Sequence, residues 1–437
     1  MSTRRYTLFL LFAVSVFNYV DRTIISILQV PIKRDLGLSD AQLGALTGLS
    51  FAIVYATLCL PVAALADRGN RTRIIAASLM FWSAMTAFTG LATSFVMLVL
   101  LRFGVAAGEA GSVPSTHSVI ADLYPPERRA TVLAVWGLSL PAGMAAGYLL
   151  GGNLDQWIGW RAAFAFVGVA GLLLGPVVWF TMREPPRGRF DPAPVAAAPP
   201  QRLGAVVRHL WQLRTFRWLA AAGACHAYAQ YSIMNWNAPF YARVHGMPLA
   251  QVSLVLALMT GIGMAVGMVL GGRLSDHHGQ RSPENRLRVV AIALLGMVPL
   301  AIAQYLVASP GLSVALGLVA STLMMCYYGP IVAVPQLLVP STMRAFTSAV
   351  VILTFNLFGL GLGPFVTGWI SDVLARQPGL GVNSIRYALC SAVLFSLAAS
   401  LMFWRASRHL PAELLVANTR PGEGAAPPRK AVPARAG

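Results

Sequence analysis

The sequence predicts an all-α integral membrane protein: 12 transmembrane helices in two pseudo-symmetric six-helix bundles. Three observations predict it. Of 437 residues, 57% are hydrophobic and only 11% charged, with mean hydropathy +0.65. A soluble chain carries about 25% charged residues, so most of this surface faces something apolar. Apolar stretches near the ~20 residues needed to cross a ~30 Å hydrocarbon core recur along the chain. A Pro- and Arg-rich interruption splits them six and six.

The first six stretches are 6–30, 41–65, 73–93, 95–120, 129–153 and 160–183. The first begins like a signal peptide, with Arg4 and Arg5 before an apolar run. It continues to Val30 without a small-residue cleavage site, so an uncleaved first span is expected. Residues 184–214 hold Pro185-Pro186, a Pro/Ala run to Pro200 and several arginines, the composition of a soluble linker. The next six stretches are 215–241, 248–273, 287–307, 311–338, 345–371 and 384–407. The expected organisation is a bundle over 1–183, a cytoplasmic linker over 184–214, a second bundle over 215–407 and a disordered cytoplasmic tail over 408–437.

Orientation follows from the basic loops. One side carries Arg4, Arg5, Arg68, Arg71, Arg73, Arg128, Arg129, the linker arginines, Arg273, Arg281, Arg286, Arg288, Arg344 and every basic residue from Arg405 on. The other side carries only Lys33, Arg34, Arg161, Arg243, Arg376 and Arg386. Both termini and the linker are therefore expected in the cytoplasm of a bacterium, with the chain in its inner membrane. The net charge of +18 is explained by loops lying against anionic lipid, without nucleic acid. The four cysteines lie in apolar runs without metal-ligand spacing, so no metal or cofactor is expected.

Four charges break the apolar spans: Asp21, Arg22, Arg102 and Glu109. A charge at the bilayer centre costs roughly 2.5–3.5 kcal/mol even on a lenient scale, and such residues face the bundle interior. They point to an ion-coupled transporter. Ser15, Asn18 and Arg22 share one helix face, and Asp21 points about 100° away. Arg102 and Glu109 share a face but sit about 10 Å apart along the axis, so first-helix partners are expected for them. A buried carboxylate whose arginine partner comes and goes can couple proton uptake to shape change. Asp21 and Glu109 are the candidate proton-coupling acids. Arg22, Arg102 and Asn18 are candidate substrate or counter-charge groups, guanidinium suiting phosphate or carboxylate. Ser112 and Thr116 continue the Glu109 face. With Tyr55, and with His226, Gln230, Tyr231, Tyr328 and Asn356 of the second half, they are expected to line the cavity. A cavity charged on one side only suits an amphipathic solute. Glycines at four-residue spacing from Gly143 to Gly151 imply close helix packing.

The loop Asp67-Arg68-Gly69-Asn70-Arg71 recurs one six-helix unit later as Asp276-His277-His278-Gly279-Gln280-Arg281, a parallel duplication. These loops resemble the loop motif of the major facilitator superfamily, with Ala64 and Asn70 departing from its glycines in the first copy. The resemblance implies a cytoplasmic gate at Asp67, Arg68, Arg71, Asp276 and Arg281. Phe17-Asn18-Tyr19-Val20-Asp21-Arg22, the stretch from Pro31 to Gly44, and Arg102-Phe103-Gly104-Val105-Ala106-Ala107-Gly108-Glu109-Ala110 resemble the Spinster-like branch. That resemblance implies proton coupling at Asp21 and Glu109 and a lysophospholipid-like substrate, carried by a monomer. The alternatives are a carboxylate symporter and a drug:proton antiporter. An enzyme is not expected: the chain has neither a Gly-x-Ser-x-Gly elbow nor a His-Glu-x-x-His site.

Overall fold

The computed structural model describes residues 3–187, 190, 203–339, 343, 347, 350, 351 and 353–419. Within these, the side chains of 3, 59, 60, 63, 64, 66–68, 126, 127, 130, 203, 205 and 417–419 are not described. Every regular element among the described residues is helical. Nine of these helices are long and apolar enough to cross a membrane. One of the nine, Thr131–Thr181, contains both the fifth and the sixth expected spans. They part at Gly159, whose φ of 78° is left-handed backbone that favours glycine. The third and seventh expected spans are the helices Arg71–Thr89 and Arg214–Val244. The second carries His226, Gln230, Asn235 and Asn237, which lower its hydropathy. Described helices thus cover all or part of each of the twelve expected stretches.

Several spans are built in pieces. The first, Thr3–Ile27, is followed by the short helix Gln29–Leu36. The second starts at Asp40, passes through a π-helical segment at Ala45–Leu49 and continues as Ser50–Arg68. The fourth breaks between Phe95–Glu109 and Ser112–Leu123. The eighth and eleventh carry π-helical segments at Met259–Met264 and Phe355–Leu362. The tenth changes to a tight turn at Met325–Tyr327, before Tyr328–Leu337. Such irregular turns are concentrated at functional sites in helical proteins.

One expectation needs correcting. The last helix runs Ser384–Thr419, so residues 408–419 are helical rather than disordered. Pro411 sits inside this helix, and Glu413 accepts hydrogen bonds from the backbone amides of Arg214 (2.7 Å) and Thr215 (3.1 Å). The extension thus caps the start of the seventh span. Within the linker, Leu203–Gln212 is also a helix, which buries Val206 and Leu210 against Phe216, Val339 and Val351.

Exposed Phe9, Leu100, Phe166, Leu173, Phe180, Ile262, Ile292 and Leu401 form apolar outer surface, as a bilayer requires. The first and fifth spans lie almost backbone to backbone. A Cβ at Gly143, Gly147 or Gly151 would fall 2.4–2.8 Å from Tyr19, Thr23 or Ile27.

The halves meet at the end remote from the termini. There the second span packs on the eleventh, and the fifth on the eighth. At the end that carries the termini, among the described residues, Ser112–Leu123 and Tyr328–Leu337 make no substantial contact across the halves. Between these described helices the space opens toward the termini.

Candidate functional site

Near the middle of the first span, Arg22 donates from Nε to Glu109 Oε2 at 2.7 Å. The Glu109 side chain is wholly buried, while Arg22 keeps 21% exposure. The Arg22 guanidinium carbon lies 4.6 Å from the ring centre of Phe51, 5.3 Å from Tyr55 and 5.8 Å from Tyr19. The Arg102 guanidinium carbon lies 5.0 Å from the same Phe51 ring centre. These cation–π contacts hold two like charges near one another while most of their donors stay free for another group.

Asp21 points away from this cavity, as its helical position requires. It is buried, and neither carboxylate oxygen has a hydrogen-bond partner. Thr86 and Trp82 lie beside it, outside hydrogen-bonding geometry. Arg102 reaches its backbone carbonyl at 3.5 Å, and Arg102 Nε is itself unpartnered. The Asn18 amide nitrogen is likewise buried without a partner. Ser15, on the same helix face, is tied to Ser139 of the fifth span at 2.7 Å.

A cavity of about 60 Å³ lies against these groups. Arg22, Arg102, Phe51, Tyr19 and Thr47 line its first-half side, and Tyr231, Met234, Asn235 and Leu360 its second-half side. The π-helical segments of the second and eleventh spans both border it, through Thr47 and Leu360. Of the expected lining residues, Tyr231 lines it and Tyr55 stacks on Phe51 behind it. Tyr328 is 39% exposed although it lies beside Tyr231 and Tyr19, so it faces the open space between the halves. Asn356 is half-buried in the eleventh span.

The remaining expected lining residues lie elsewhere. Ser112 and Thr116 are buried in the fourth span beyond its break. His226 is fully buried, bonded to Ser396 Oγ and to the Met324 carbonyl, each at 3.0 Å. Gln230 accepts from the Tyr327 hydroxyl at 2.5 Å and donates to Met325 Sδ at 3.3 Å. Both therefore clamp the irregular turn of the tenth span to the seventh. Their shared helix face is real, but it faces that neighbour and not the cavity.

Arg71 and Asp276 of the expected gate pair within their own halves. Arg71 is buried and bonds Asp122, Ser118 (2.8 Å), Glu184 (2.6 Å) and the Pro185 carbonyl (3.1 Å), all within the first half and the start of the linker. Asp276 pairs with Arg286 at 2.9 Å, inside the second half, and Arg281 is exposed. Neither cluster joins the halves. The side chains of Asp67 and Arg68 lie outside the described residues.

An ionic cluster links the halves at the opposite end. Buried Asp40 accepts two hydrogen bonds from Arg243 (2.8 and 2.9 Å), one from Ser371 (2.8 Å) and one from Lys33 (2.5 Å). Asp372, at the end of the eleventh span, accepts from the backbone amides of Asp40 (2.9 Å) and Ala41 (2.7 Å). It thereby caps the second span, whose own capping box joins Ser39 and Gln42. Just below, a Cβ at Gly44 would fall 2.2 Å from the Pro364 carbonyl oxygen, and one at Gly48 2.4 Å from that of Leu360. Sequence reading counted Lys33 and Arg243 only as loop charges and Asp40 only within the Pro31–Gly44 stretch, and gave Ser371 and Asp372 no role.

Two membrane-spanning halves, sealed together at one end over a cavity lined by two arginines, one of them paired with a buried acid, define a membrane transporter. The chain belongs to the Major Facilitator Superfamily, which residues 11–364 match. It is 34% identical to an MFS-type efflux pump of Mycolicibacterium smegmatis over 90% of both chains. It is 25% identical to human protein spinster homolog 1 over 83% of this chain and 72% of that one. The crystal structure of a bacterial homolog of the human lysosomal transporter Spinster, inward-facing and unoccupied, superposes with a TM-score of 0.86 at 31% identity. That match covers 94% of this chain and 98% of the other.

Proposed function

We propose that the protein is a proton-coupled secondary transporter of an amphipathic, anionic or zwitterionic solute of lysophospholipid type. It works by alternating access as a monomer in a bacterial inner membrane, with termini and linker in the cytoplasm. The observation that carries this reading is the Arg22–Glu109 pair, because Arg22 belongs both to the buried acid and to the cavity. An incoming phosphate or carboxylate competes with Glu109 for one guanidinium. Glu109, released into a low-dielectric interior, takes a proton from the open vestibule; when the solute leaves, the pair re-forms and the proton is returned. Asp21 is a second buried acid on another face of the same helix, with Arg102 on its backbone carbonyl.

The test is uptake of a labelled lysophospholipid into proteoliposomes with and without a pH gradient. Gradient-driven flux that is lost in Glu109→Gln and in Asp21→Asn supports the assignment. Undiminished flux in both variants overturns it.

A second reading, a drug:proton antiporter, is favoured by the similarity to the mycobacterial efflux pump. It predicts gradient-driven movement of lipophilic drugs by the same proteoliposomes while lysophospholipids stay put.

A further inference from the structure

A second cavity, of about 30 Å³, lies in the other half of the molecule, among the seventh, eighth, ninth and tenth spans. Tyr148 and Met234 belong to the walls of both cavities. They form one partition: Tyr148 is buried in the fifth span, and its hydroxyl donates to the Met234 carbonyl at 2.8 Å. On one side of it are Arg22 and Arg102. On the other side Met259, Met264, Met297 and Met324 join Met234 around an apolar space.

The wall chemistry is one-sided. Polar side chains along the second cavity are already engaged. Asn237 accepts from Tyr305 (2.8 Å), Gln304 donates to Tyr241 (3.2 Å), Thr260 donates to Leu256 O (2.8 Å) and Ser321 to Met259 O (3.2 Å). A ligand entering there is met by methyl, thioether and methylene groups. Methionine suits such a wall because its unbranched, polarisable side chain re-packs around guests of different size, as on promiscuous binding surfaces. The backbone of the wall is adaptable as well: Met259–Met264 is the π-helical segment of the eighth span. At rest the space exceeds the ~10–15 Å³ that one water needs, and an apolar cavity of this kind accepts hydrocarbon in preference to water.

We propose that this methionine-lined chamber is the tail subsite of the transporter. It receives the end of the substrate's alkyl chain while the anionic headgroup stays with Arg22 and Arg102, and the Tyr148–Met234 partition moves aside between them. The proposal rests on the amphiphile reading above and adds a residue-level determinant of chain length to it. Ala320 on the tenth span and Met297 on the ninth both line the chamber, so a larger side chain at the first shrinks it and a smaller one at the second enlarges it.

The experiment is proteoliposome flux of lysophosphatidylglycerols with C8, C12 and C16 chains, in wild type, Ala320→Leu and Met297→Ala. Transfer of one methylene is worth about a factor of four in affinity. Two methylenes excluded by the added leucine side chain therefore lower the C16-to-C8 flux ratio about fifteenfold. Met297→Ala raises the same ratio. The ratio uses each variant as its own reference, so a variant that reconstitutes poorly is still readable, and the two variants make opposite demands. If both keep the wild-type ranking of chain lengths, the chamber is a packing void and the proposal is overturned. If wild type moves no lysolipid of any length, the amphiphile reading itself fails, and the tail subsite with it.

Discussion

Replacing Asp40 by Asn should open the sealed end of the molecule. Asn keeps the shape and the Ser371 contact but removes the charge that Arg243 and Lys33 share. Hydrogen bonds to charged groups contribute about 1.5–3 kcal/mol each. The Arg243 side chain is 17% exposed and grips both oxygens of a carboxylate that is 4% exposed, so its contribution lies in that range. Lys33 is 33% exposed and adds less, because solvent screens it. The closed arrangement therefore loses about 3 kcal/mol, close to a hundredfold in the equilibrium between closed and open. Spin labels at Trp157→Cys and Val382→Cys, exposed at this end in the two halves, report the gap by pulsed electron resonance once the four native cysteines are replaced. A second, longer distance should gain population in Asp40→Asn reconstituted in nanodiscs. An unchanged distance distribution in a folded variant would refute the argument that this cluster holds the seal.

Three further outcomes follow from the packing. Asp21→Asn removes a buried carboxylate whose oxygens have no partners, so Tm in detergent should hold or rise while coupled flux falls; a lower Tm would mean that Asp21 is structural. Gly147→Val places a side chain 2.8 Å from Thr23 and 3.1 Å from Val20, and should cost about 1–3 kcal/mol, read as a drop in Tm with expression retained. His226→Ala strips two buried partners, Ser396 and the Met324 carbonyl, and should destabilise by about 2–3 kcal/mol. It should leave the pH dependence of flux where it was, and a displaced pH profile would return His226 to the transport machinery.

The spans, their division into two sets and the charged first and fourth helices were legible because each is written locally, as a run of apolar residues or a charge inside one. Even the partner of Glu109 could be sought on the first helix, since the rise per residue kept Arg102 too far along its own axis. What stayed hidden depends on residues distant in the chain. Asp40 is joined to Arg243 and Ser371 across the whole molecule, and no periodicity announces that pairing. Arg71 sits in a loop whose pattern suggested a gate, but Asp122 and Glu184 claim it from other helices. His226 and Gln230 share a face as their spacing requires, yet helical spacing does not tell which neighbour that face meets. The chain from residue 408 read as a disordered tail, because the capping role of Glu413 appears only when the twelfth span lies beside the seventh.

The linker is fastened at both ends, each time to the half it adjoins. Glu184 is held by Arg71 and accepts from the Thr72 amide at 3.0 Å, and Pro185 is held by the same arginine. Beyond it, Val206 and Leu210 are packed against the second half, and Glu413 seats the start of the seventh span. Neither bundle relies on a pull from the chain between these two anchors to keep its shape. Two separately translated polypeptides, divided between residues 190 and 203, should therefore retain every contact described for each bundle and for the seal between them.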